Sequence, residues 1–135
     1  MRRLLVSTLV GSLALATVAP AVADPATAVR EVITFPDADP CTGETHEVTI
    51  DVTFLVHFHD GVTVARGVRT LTTSSGYAGR GRSSYVENGR VEKFRFSDRV
   101  TDDSGNRIRA SGVFVVDRST GAVRVDKFDV TCLGR

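Results

Sequence analysis

The sequence predicts an all-β protein: an antiparallel up-and-down meander of about seven strands closed into a small barrel, with a two-layer β-sandwich as the alternative. Three observations point there. Apolar residues alternate with a two-residue period over long stretches, tight-turn signals recur between those stretches, and no useful helical period is present beyond the N-terminal segment. Pairing each strand with its sequence neighbour leaves two open edges, which closure into a barrel removes.

Residues 1–23 read as a secretory signal peptide. Met1-Arg2-Arg3 is basic, residues 4–18 are almost uninterruptedly apolar, and Ala21-Val22-Ala23 supplies small residues for cleavage before Asp24. Residues 24–135 then form a single domain of 112 residues. Residues 29–35 (VREVITF) are a first strand, and the prolines at 36 and 40 make residues 36–40 a turn or loop. From Val48 the even positions through Phe58 are all apolar, so this strand has one buried and one wetter face. Asp60-Gly61 is a type I′ hairpin signal. The return strand runs from residue 62 to about 72, and residues 73–82 (TSSGYAGRGR) read as a mobile Gly-rich loop. A short strand over 83–88 ends at Asn88-Gly89, a second two-residue hairpin signal. Residues 91–100 place Phe94, Phe96 and Val100 on one side, and residues 102–106 turn the chain. Residues 107–116 point Ile108, Ala110, Gly112, Phe114 and Val116 inward; after the turn at 119–121 the last strand spans 122–132. Its apolar parity slips, which a β-bulge near Asp126-Lys127 would absorb.

Composition narrows the function classes. Removing Arg2 and Arg3 with the signal turns the formal charge from +1 to −1, which argues against a non-specific nucleic-acid binder. No second apolar run is long enough to span a bilayer as a helix, so the expectation is a secreted, extracellular protein without a membrane span. Cys41 and Cys132, an even pair in an exported chain, are expected to form a disulfide joining the two ends of the sheet.

The segment Asp39-Pro40-Cys41-Thr42-Gly43-Glu44, the His-bearing strand after it, the Gly-Tyr loop and the lone C-terminal Cys resemble a group of small exported proteins of actinobacterial type. These open with Pro-Cys-Thr-Gly-Glu and are mostly uncharacterised. The resemblance implies a calycin-like barrel related to lipocalins and to the allene oxide cyclase barrel. It implies no activity. This chain departs from the pattern in carrying Asp39 before the proline and no His on the return strand.

Candidate chemistry is sparse. His57 and His59 share one strand face, where paired imidazoles can chelate zinc or copper; a third ligand is not evident, and solvent-facing His is the competing reading. If Val62, Val64 and Val68 face inward, so does Arg66, an anchor for an acidic ligand head group unless a bulge at Gly67 turns it outward. Tyr77, Tyr85 and Glu87 are candidate ligand contacts at a barrel mouth. No motif implies a cofactor or a catalytic residue set. The expectation is a binding or interaction module, with a small apolar ligand or an extracellular protein as partner. An enzyme of the cyclase-barrel type using Arg66, Tyr85 and Glu87, or a surface protein whose core is filled by the seven Phe, are the alternatives.

Overall fold

The computed structural model describes residues 25–135, so the expected signal peptide lies outside the described residues. Seven strands succeed one another: β1 (Thr27–Ala38), β2 (Thr45–His59), β3 (Val62–Thr73), β4 (Ala78–Glu87), β5 (Val91–Thr101), β6 (Arg107–Asp117) and β7 (Val123–Gly134). They form one sheet in sequence order, every neighbouring pair antiparallel. The up-and-down meander is therefore as expected. Closure is not: β1 and β7 do not pair, and the sheet stays open. Both edges carry features that resist pairing. Pro36 in β1 has no N–H to donate, and β7 breaks register twice, leaving Arg124 and Leu133 without partners on β6.

The open sheet is nonetheless coiled. Phe35 of β1 and Phe128 and Val130 of β7 line the same cavity as residues of β2, β3, β5 and β6. On the inner face one cross-strand row reads Ile33, Ile50, Leu71, Gly79, Val100, Ile108 and Cys132, and all seven Phe occupy inward positions. Val48, Ile50, Val52, Leu71, Tyr77, Val100 and Ile108 make the buried cluster, with Cys41, Phe54 and Val130 packed against it. Along β2 burial fades from Val48–Val52 through the half-buried Phe54 and Val56 to exposed Phe58. The core thus sits at one end of the sheet. It is also thin: among the described residues no large side chain is less than 2% exposed.

The disulfide is formed. Cys41, in the β1–β2 turn, meets Cys132 on β7 with a Cα separation of 5.0 Å across 91 residues of chain. A loop of that length contributes about 4 to 5 kcal/mol in the chain-entropy account, and here it joins sheet ends that no hydrogen-bond ladder joins.

Local details differ from the sequence reading for identifiable reasons. The β1 ladder runs through Pro36, opposite Glu47, because β1 is an edge and a missing N–H there is tolerated. Residues 78–82 are strand and not loop. Gly79 and Gly81 face inward, where a Cβ would overlap the Arg99 carbonyl and the Asp98 carboxylate respectively, so glycine here serves close approach. The bulge in β7 lies at Arg124, not at Asp126-Lys127. Asp60 and Gly61 do form the type I′ turn, both with positive φ (48° and 75°). The Asn88-Gly89 connection is longer than two residues; Asn88 Oδ1 accepts from the N–H groups of Arg90 and Val91, at 2.9 Å each.

Candidate ligand-binding cleft

Arg66 is exposed on the outer face, so the inward placement expected for it is overturned, and no bulge is involved. The Asp60-Gly61 turn sets His59 opposite Val62, and each step back along β2 is one step forward along β3. Inward even positions on β2 therefore face odd positions on β3. Ala65, Gly67, Arg69 and Leu71 point inward, while Val68 is 64% exposed. The buried arginine is Arg69, opposite Val52. Sequence reasoning missed it, although the two-residue turn and the β2 face together carried the signal.

Arg69 (8% exposed) and Asp98 (3% exposed) form a buried ion pair at 3.1 Å. They sit on β3 and β5, two strands apart, and meet because Gly81 between them on β4 has no side chain. The Arg69 guanidinium also lies 4.9 Å from the Phe96 ring centroid, a cation–π contact. Desolvation outweighs attraction in this pair. Burial pushes the Asp98 carboxyl up to about 6 against the opposing pull of Arg69, and burial lowers the Arg69 pKa against the opposing effect of Asp98. Arg69 Nε, Asp98 Oδ1 and Ser83 Oγ are buried with no hydrogen-bond partner in the protein. Ser83 lies on β4 one inward row from Gly81 and opposite Phe96, so the three atoms belong to one polar island on an apolar face.

Two hollows flank that island. A cavity of about 100 Å³ lies towards the disulfide end, between Arg69, Asp98, Phe35, Phe96 and Phe128. A second, of about 280 Å³, lies towards the open end among Val29, Phe54, Ala65, Tyr85 and Phe94. Ile33 (47% exposed) and Phe128 (58% exposed) show that the slot between β1 and β7 opens this interior to solvent.

The other expected contacts do not gather into one site. Tyr77 is buried immediately before β4, its ring edge-on to His46 at 6.3 Å, and its backbone N–H donates to Thr73 Oγ1 at 3.0 Å. Burial, followed by the Asp39 charge, raises its pKa. Tyr85 lies eight residues further along, at the other end of β4. Its hydroxyl donates to Glu87 Oε2 at 3.3 Å, and Glu87 is ion-paired with Arg118. Burial, then hydrogen bonding to Glu92, raises the Tyr85 pKa. His57 and His59 are exposed on the outer face of β2, His59 2.9 Å from Asp60. Among the described residues no group of three or more His, Cys, Asp or Glu is placed to hold a metal ion. No helix of the described residues is long and apolar enough to cross a membrane. Comparison with known protein families, with curated proteins and with solved structures found no match to this chain.

Proposed function

We propose that the chain is an exported binding module that takes a small, largely apolar molecule into the inner cleft and holds its polar end at Arg69, Asp98 and Ser83. The observation that carries this reading is the set of three buried, unpartnered polar atoms: those of Arg69 and Asp98, which line the inner cavity beside the disulfide end, and Ser83 Oγ one inward row away. A buried donor or acceptor left unsatisfied costs about 1 to 3 kcal/mol, and a ligand bringing a hydroxyl or amide recovers part of that cost. Arg69 Nε–H donates, the Asp98 oxygen accepts and the Ser83 hydroxyl does either, so the complementary group both donates and accepts. The flanking hollows receive the apolar remainder, and the slot between β1 and β7 is the way in. Export is supported by the disulfide and by the character of the N-terminal sequence.

Native mass spectrometry of the protein secreted into culture medium tests the reading. A retained small molecule is expected, and Ser83→Ala should weaken its binding about tenfold, equivalent to about 1.4 kcal/mol. A chain that is consistently empty, and whose melting temperature no apolar alcohol or amide raises, would overturn it. A cyclase-type enzyme is the second reading, now resting on Asp98 and not on Arg66, Tyr85 and Glu87. A carboxyl held near neutrality inside an apolar cavity is suited to moving a proton. Conversion of the retained molecule, read as a product of altered mass or retention time, separates the two.

A further inference from the structure

The near-zero net charge conceals how the charges are sorted. Outward positions of β3, β4 and β5 carry Arg66, Arg80, Arg82, Lys93, Arg95 and Arg99 and not one acidic residue. The acids of these strands, Glu87, Glu92 and Asp98, all take inward positions. Like charges directly opposite on neighbouring strands destabilise a sheet. Yet Arg80, Arg99 and Arg109 stand in one row across β4, β5 and β6. Arg109 comes within 3.8 Å of Asp129; Arg80 and Arg99 make no ion pair among the described residues. The same face is hollowed by a groove of about 950 Å³, whose lining mixes Arg66, Arg82, Arg95, Ser84, Ser97 and Ser111 with the apolar side chains of Leu55, Val68 and Val113.

We propose that this outer groove binds a linear hydroxylated polyanion: a glycan or polyol chain bearing phosphate, sulfate or carboxylate groups. The arginines supply forked donors that match such anions, and bound polyanion relieves the repulsion along the Arg80–Arg99–Arg109 row. The serine hydroxyls between them are neutral partners for the hydroxyls of the chain. Nucleic acid fits less well. No aromatic residue occupies an outward position on β3, β4, β5 or β6, so bases have nothing to stack on, and a hollowed sheet face presents no element to enter a duplex groove. The arginine side chains of this site point to the opposite face of the sheet from Arg69 and Asp98, although the groove's floor is formed in part by Ser83 and Phe96, whose side chains point inward.

Fluorescence anisotropy with labelled heparin oligosaccharide and with labelled poly(glycerol phosphate) tests it and tells the two sources of the chemistry apart. At least one is expected to bind at about 50 mM salt, and to weaken steeply as salt rises and counterion release contributes less. Arg66→Ser/Arg95→Ser should lose at least about tenfold in affinity, while Arg90→Ser/Arg135→Ser, which removes equal charge elsewhere, should lose less than about twofold. Circular dichroism confirms that both double variants fold. Four results would each overturn the proposal: no binding to either probe, equal losses in the two variants, tighter binding of labelled oligo-dT, or binding confined to phosphatidylglycerol vesicles.

Discussion

Gly81 shows how much a single missing side chain decides. A Cβ at that position would overlap Asp98 Oδ1 and come 2.7 Å from the Ser97 carbonyl oxygen, so Gly81→Ala must separate the Arg69–Asp98 pair or shift β5. The expected loss is about 2 to 3 kcal/mol, from overpacking plus a disrupted buried pair. Gly89→Ala, where nothing lies within 4 Å, should stay within about 0.5 kcal/mol of the parent. Urea denaturation of the two variants measures both. Asp98 gives a pH signature of definite sign. Its folded pKa of about 6 lies above the unfolded value of 3.8, so the folded state holds the proton more tightly. That contribution is fully present below the unfolded pKa and is lost as pH rises through about 6. Stability should therefore fall by on the order of 2 to 3 kcal/mol between about pH 4 and pH 7 from this group. Asp98→Asn keeps the shape of the protonated acid without its ionisation. It should flatten this slope and exceed the parent in stability near pH 7; a variant less stable than the parent there would mean that attraction to Arg69 outweighs desolvation.

At the scale of elements, the strands and most turns were legible. The alternation in β2, β5 and β6 is a consequence of one buried face, and Asp60-Gly61 adopts the positive φ values its residues favour. What misled were positions whose meaning depends on a neighbour. Gly79 and Gly81 resemble loop residues until Arg99 and Asp98 are seen occupying their side-chain space, and Pro36 resembles a terminator until β1 is known to be an edge. Arg66 is expected inward because Val62, Val64 and Val68 suggest an inward set, and the hairpin register contradicts that set and encloses Arg69. The same edge argument predicts dynamics. β1 has a single neighbour and its residues are exposed apart from the half-buried Asp37, whereas β7 is anchored through Cys132. Hydrogen exchange should be fastest in residues 27–34 of β1 and slowest in β2 and β3 near Ile50 and Leu71. Protection of β1 equal to that of β3 would mean that another molecule covers the edge.

For the molecule as a whole, the balance rests on a thin core and one cross-link. Reducing Cys41–Cys132, or replacing Cys132 by Ser, should cost about 4 to 5 kcal/mol and leave little stability in a domain of this size. A small shift of the unfolding midpoint on reduction would contradict that balance. Thiol titration of the denatured, unreduced protein should find no free Cys.

The amino-acid order alone determined that the chain is all-β, that it runs as a meander, and that its two Cys pair. Those properties follow from local periodicity, local turn chemistry and simple arithmetic. Tertiary structure alone decided that the sheet stays open, that Arg69 and not Arg66 is enclosed, and that the other basic residues of β3, β4 and β5 gather on the outer face while the acids of the same strands turn inward. Each of these depends on which residues stand opposite one another across several strands. Such long-range register is the product of every turn and bulge together, and no single segment encodes it.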